Sequence, residues 1–540
     1  MRRHRHTFDK QSLGTENNNR LNPSEKRELK IAEIKMALYV ANHSSIKSVD
    51  HLGEVLKQHG KGSQLEKVRL HRTKASKLIL NVVAPEMLIE LIKDIGDQDY
   101  SVILDESTDV STVKYMAEFF SKVGLNLDKL VGIGTDGASN MCGVKHSLFT
   151  LIKKDYPKVQ LMKCSCHSLS LCASKTSDEL PASVDFLLKE THTVLKEVTD
   201  LNIAFQKANA DITKLYTDLR ILLLSVARRI FKPIYLKSIP PKTASTAMIH
   251  QADIAADIAA QRAISKANCD FDNSLLPLDS VDFGYKFTMY LTKSTISSEN
   301  LQTVKVRSRS YMLKLCEELV KRFPDNISVL TNIRYFTLRL CMDQTSNVSV
   351  ECLPWDLAGK HTPQDAGRDA IERQWRNLRT MRISEICDNV DENISTIDFW
   401  IAVNKIENSN GSKRFKDLAA FALRALSLPT SNADVERVFS VMALIKTKCR
   451  NRMLIDMLVS LMRIRIHMRV FKLCCKNYMP TDDMVKRFTS QLYESQKVTK
   501  KLDEDDNNDN MASDNLITTM NLLEYSEDND DKDDIDDIYD

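Results

Sequence analysis

Residues 130–141 read LVGIGTDGASNM, and this stretch limits what the chain can fold into more than any other. Leu130 to Gly134 show no polar alternation, which marks a short strand covered on both faces. Thr135, Asp136 and Gly137 then end it. Glycine permits a sharp turn there, and Ser139 or Asn140 is placed to cap a following helix. Such a strand sets the Asp136 carboxylate at the carboxyl edge of a sheet, where open α/β folds keep their ligand sites. Residues 101–109, SVILDESTD, repeat the pattern, with Asp105 closing a second apolar run.

After a helix at 144–154, residues 159–164 supply a third strand, and CSCHSLSLC at 164–172 opens another helix. Only 20 residues separate Asp109 from Leu130, and 113–123 is patterned as a helix, so no room is left for further strands. The order β-α-β-α-β predicts three parallel strands with the Asp105 strand at an edge. Upstream, helices are expected from Pro23 (burying Ile31, Ile34, Leu38 and Val40) and at 49–59, 65–83 and 84–92. Downstream they are expected at 183–198, 212–230, 249–267, 304–322, 327–340 and 370–383. A last block starts near Thr396. In LPTSNADVERVFS (428–440), Pro429 breaks one helix, Ser431 or Asn432 caps the next, and Glu436 falls near its start.

A chain of 540 residues exceeds one ordinary core, so two or three domains are expected. With only 14 Gly and 13 Pro it should be rich in helix. No apolar run is long enough to span a bilayer and the basic start precedes no apolar core, so a soluble, unsecreted protein is expected. The 12 cysteines lack disulfide-scaffold spacing and read as reduced thiols. Net charge is +3, but residues 501–540 hold 16 acids and 2 bases, leaving a basic body of net +17. Such a body suits phosphate-backbone binding, and the tail reads as a disordered solvating segment open to a basic or transcriptional partner.

Four stretches, SVILDESTD, LVGIGTDGASNM, KCSCHSLSL and LPTSNADVERVFSVMALIKTKCRNRM, together resemble the hAT superfamily of DNA transposases and the host proteins derived from them, in the branch that often carries a BED-type zinc finger. The resemblance covers residues 31–468. It implies an α/β fold: a truncated RNase H-like core of about three parallel strands, interrupted by a large all-helical insertion, in a helix-rich chain. The expected layout is a disordered basic N-terminus (1–22), a helical lead-in (23–97), the first part of the core (98–180), the insertion (181–395), a dimerisation region completing the core (396–480) and the acidic tail (481–540). By motif, Asp105, Asp136 and Glu436 would be the catalytic carboxylates holding two Mg²⁺ ions. Cys164 and His167 match a supporting C-x-x-H element, and Arg437, Lys446, Lys448, Arg450 and Arg452 would meet DNA phosphates.

Cys164, Cys166, His167 and Cys172 crowd into two turns with no distant second pair, so a packed, hydrogen-bonded histidine is expected there instead of zinc. Trp355, Trp375 and Trp400 are expected in the core. Two departures from the family pattern count against catalysis. The hairpin after the first acid has no room, and no zinc finger precedes the core, the first cysteine being Cys142. The resulting expectation is a nuclear, otherwise cytoplasmic, homodimer that binds DNA weakly, touches no membrane and does not transpose. An active Mg²⁺-dependent transposase and a scaffold without a nucleic-acid role stay open as alternatives.

Overall fold

A computed structural model describes residues 22–104, 123–143, 147–177, 185–207, 210–236, 274–293, 297–322, 327–344, 348–358, 366–387, 394–447, 453–489 and 492. The chain divides into two units, one built from both ends (Met1–Glu90 with Val441–Asp540) and one from Leu91–Ser440. Asp105, Lys448, Arg450, Arg452, the expected helices at 113–123 (but for its last residue) and 249–267, and the acidic tail from residue 493 on lie outside the described residues; the first part of the segment assigned to that tail is instead ordered, as the helix Asp482–Arg487 with Met484 buried.

The unit made from the chain ends is helical. Its first helix, Pro23–His43, starts where the side chains of Asn22 and Glu25 each accept the other's backbone N–H, with proline in the first turn where no N–H is needed. Ile34, Leu38 and Val40 are buried, as their spacing requires, against Leu78, Val82, Ile464 and Met468. The helix Ile455–Val470 packs on it, Arg465 Nε donating to the Ala41 carbonyl at 3.0 Å. The expected helix at 65–83 is instead broken. A 3₁₀ turn, Gln64–Lys67, gives way to an extended stretch that buries Val68 and Leu70 and leaves Arg69 exposed, and a helix resumes at Arg72–Leu78. Alternate burial over three residues is strand-like, and the Arg69 N–H is satisfied by the buried Glu33 carboxylate at 2.9 Å. The following wide turn, Ile79–Val83, opens just before Ala84–Ile95, where the Pro85 ring would collide with a carbonyl of a regular helix.

The Leu91–Ser440 unit holds the sheet: β1 (Tyr100–Ile103), β2 (Leu130–Thr135) and β3 (Gln160–Lys163), in that order and parallel throughout. This is the expected three-stranded sheet, with β1 at an edge among the described residues. Every residue of β2 is buried, while all four of β1 are half-buried. The remainder is helical, led by Asp185–Gln206, Ile212–Ile230, Ser298–Lys321, Ala366–Leu378, Thr396–Lys405 and Lys416–Leu426. Trp375 and Trp400 are fully packed in its core as expected, whereas Trp355 is half-buried at the core's margin, stacked on Phe421. Two expected helices differ. The 327–340 helix stops at Ile333 and resumes only at Leu338–Cys341, because Thr337 is extended. The 144–154 helix starts at Leu148, with Ser147 Oγ accepting from Thr150 N. Among the described residues, no helix is long and apolar enough to cross a membrane.

Candidate functional site

The carboxyl edge of the sheet is assembled from three segments. At the end of β2, Gly137 adopts φ 96°, Asp136 Oδ1 accepts the Ala138 N–H at 2.9 Å and Thr135 Oγ1 accepts that of Gly137. The short helix Ser139–Cys142 follows without a side-chain cap, so neither Ser139 nor Asn140 has the expected capping role. The turn is closed by the Asp136 carboxylate instead, which fixes this side chain at the strand's end.

The second segment is Cys164. Its N–H donates to the Thr135 carbonyl at 2.7 Å, extending the β2–β3 ladder, and its sulfur caps the helix Ser165–Ser177 by accepting the His167 N–H at 3.4 Å. The same sulfur accepts the Asn432 N–H at 3.2 Å, and the Ser165 N–H reaches the Thr430 carbonyl at 3.4 Å. One buried thiol thus ties the last strand to the third segment, 430–432. The neighbouring Cys166 thiol and the donating amides of His167 and Asn432 together hold the Cys164 pKa down to about 6. Cys166, whose thiol donates to the Asn202 carbonyl at 3.7 Å, is pushed up in turn by the adjacent Cys164 sulfur, by burial and by the charge of Glu436. His167, expected to be packed, is exposed. The helix buries residues 165, 166, 169, 172 and 176, and position 167 points off that face.

The third segment lies across β2. A Cβ on Gly132 would overlap Leu428 Cδ2, and one on Gly134 would come within 2.9 Å of Pro429 Cγ, so both strand glycines are needed for this crossing. The helix Ala433–Ile445 starts immediately beyond, the Asn432 carbonyl accepting from Val435 and Glu436. Asn432 is buried, yet both polar atoms of its side chain have no partner. Glu436 is exposed in the first turn. Asp136 and Glu436 therefore flank one junction: the first adjoins the residue bonded to the Cys164 N–H, the second lies one turn beyond the residue bonded to its sulfur.

Asp105 lies outside the described residues; the last described bond of its strand runs from Leu104 N to the Gly134 carbonyl. The donors here suit Mg²⁺ in kind: two carboxylates and an unpartnered amide oxygen are hard ligands. They do not suffice in number, because among the described residues this edge holds no three acidic, histidine or cysteine ligand atoms close enough to share an ion. Of the expected phosphate contacts, Arg437 is engaged within its own unit, giving Nη2 to Asp434 at 2.5 Å and Nη1 to the Gln206 carbonyl at 3.1 Å. Lys446 belongs to the other unit and is half-buried.

That other unit contains a basic recess, lined by Lys30, Lys57, Arg69, His71 and Lys74 around the ring of Phe488. Lys74 is paired with the buried Glu33 at 2.6 Å, leaving Lys30, Lys57 and Arg69 as the permanent charges here with no ion-pair partner among the described residues. A sequence signal existed in the basic spacing of 67–74, but only the return of the chain end beside it makes a recess.

Two stretches match family models. Residues 47–118 match the ZMYM1/FAM200, RNase-like domain, and residues 380–468 match the hAT family C-terminal dimerisation region. No curated protein matches the chain.

Proposed function

We propose that this chain, with its matches to an RNase-like domain and to the hAT family C-terminal dimerisation region, is a hAT-transposase-derived protein that acts in the nucleus as a homodimer and holds duplex DNA by its phosphates without moving it. We assign its ancestry to the branch associated with BED-type fingers, on the SNADVERVFS and IKTKCRNR stretches. The observation that carries the dimer reading is an exposed apolar set inside the matched region: Leu444, Leu454, Ile455 and Val459 are between 44% and 75% exposed. Ile455 and Val459 lie one turn apart on Ile455–Val470 with Leu454 just before them; large aliphatic side chains exposed in this way suit a surface that another protein covers, and the dimerisation match supports a second copy as that protein.

Two observations support binding without transposition. The basic recess offers a phosphate backbone three cations without an acidic partner among the described residues, of which Lys30 also donates to the Val485 carbonyl. By contrast, the strand leading to Asp105 has four half-buried residues and one described neighbour, a thin support for a metal ligand whose position must be held to about half an ångström. If Mg²⁺ bound at this edge, Asp136 and Glu436 would hold it, and it would supply charge neutralisation at a phosphate. The acidic tail is read as a solvating segment open to a basic or transcriptional partner.

The test pairs sedimentation with DNA binding by fluorescence anisotropy. Wild type should sediment as a dimer, and Leu454→Glu with Ile455→Glu as a monomer. Duplex affinity should fall with salt, with a log–log slope of about −3 per protomer engaged for three neutralised phosphates. Replacing Lys30, Lys57 and Arg69 by Gln should abolish that slope. A monomeric wild type overturns the dimer, and absent or salt-insensitive DNA binding leaves the scaffold reading in its place.

A further inference from the structure

In the unit made from the chain ends, a histidine meets two adjacent cysteines more than 400 residues further along the sequence. His43 is the last residue of Pro23–His43, while Cys474 and Cys475 lie in the turn after Ile455–Val470. Their ligand atoms all lie within 4.8 Å of one another, and the two sulfurs are 3.8 Å apart. Two thiolates bound to one zinc ion at about 2.3 Å and the tetrahedral angle are themselves about 3.8 Å apart, and a sulfur and an imidazole nitrogen about 3.6 Å. The sulfurs already stand at the required separation. The exposed His43 ring need close by only about 1 Å at most.

We propose that His43, Cys474 and Cys475 form a Zn²⁺ site with an open fourth position. The backbone around it is fixed. Ile455–Val470 ends with Lys472 in the left-handed region (φ 50°) and the Leu473 N–H returning to the Met468 carbonyl at 2.8 Å. The Cys474 carbonyl accepts from both Asn477 and Tyr478 at 2.9 Å, and Tyr478 is buried. Lys35 Nζ donates to the Lys476 carbonyl at 3.2 Å, and Arg465 Nε reaches the Ala41 carbonyl, so the turn and the end of the first helix are tied from both sides. Two thiolates and an imidazole select zinc over Mg²⁺ or Ca²⁺, and the exposed histidine leaves the ion a route in. The site is separate from the sheet-edge acids and binds without them.

The test is Co²⁺ titration of the metal-stripped full-length protein under a phosphine reductant, which keeps the two thiols from pairing. One equivalent should produce a thiolate-to-cobalt charge-transfer band and the strong visible bands of tetrahedral cobalt, and Zn²⁺ should displace them. Cys474→Ser with Cys475→Ser should abolish the charge-transfer band. His43→Gln, at an exposed position that tolerates change, should keep the band and weaken affinity by more than about 100-fold, the upper end of what loss of a merely supporting contact costs. The proposal is overturned by wild type without the band, by a band that survives the double cysteine variant, or by His43→Gln binding as tightly as wild type.

Discussion

Substituting Gly132 with alanine probes the crossing of Leu428 and Pro429 over β2, the contact that brings the Glu436 helix to the strand ends. The new methyl would overlap Leu428 Cδ2 and lie 3.2 Å from Ser101 Oγ, in a fully buried strand. Overpacking of that kind costs about 1–3 kcal/mol, and replacing a strand glycine returns up to about 1 kcal/mol in chain entropy, so a net loss of about 1–2 kcal/mol is expected. Leu428 is 3% exposed, and Leu428→Ala alone should cost about 2–5 kcal/mol. In the double variant the alanine methyl occupies space vacated by the leucine, so the combined loss should fall short of the sum by about 1 kcal/mol or more. Urea unfolding followed by tryptophan fluorescence reads this cleanly, since Trp355, Trp375 and Trp400 all belong to the Leu91–Ser440 unit. Strict additivity of the two losses would refute the packing of residue 428 on the strand.

Stability of the same unit should depend on pH through the Cys164–Cys166 pair. Free thiols titrate near about 8.5, whereas folded Cys164 loses its proton at about 6 and Cys166 keeps its own. Between those values the unfolded chain binds the extra proton, so stability rises with pH by at most about 1.4 kcal/mol per unit. Above about 8.5 the unfolded chain gives up both protons and the folded one only one, so stability falls again. Urea midpoints from acid to alkaline pH should show this maximum, and Cys164→Ser should remove the rising limb. In the other unit, Lys74→Met leaves the Glu33 carboxylate buried with only the Arg69 amide for company, and should cost toward the lower end of about 3–5 kcal/mol. Amide hydrogen exchange in Pro23–His43 checks it, and unchanged protection there would contradict the pairing.

Much of the sheet was legible because its signals are local. An unbroken apolar run gave β2, a glycine after Asp136 gave its turn, and helical spacing gave Ile212–Ile230. The 65–83 segment was misread because the alternation at Val68 and Leu70 is only three residues long and was merged with the helical pattern that follows it, and the bond that holds the extended stretch comes from the distant Glu33 carboxylate. Cys164 was singled out by its motif, but a sulfur that bonds an amide 268 residues away has no sequence signature. Gly132 and Gly134, two apart on one face of a strand, were the missed sign that another backbone passes close there. The histidine and paired cysteines at opposite ends of the chain could be joined only once the fold was known.

The central claim, a dimer that grips DNA and does not cut it, is tested most directly on supercoiled plasmid incubated with the full-length protein and Mg²⁺. The account predicts a complex that dissolves at high salt and releases plasmid still supercoiled, for wild type and Asp136→Ala alike. Open-circular or linear DNA formed by wild type and absent with Asp136→Ala would contradict it, and would make the sheet-edge acids a working nuclease.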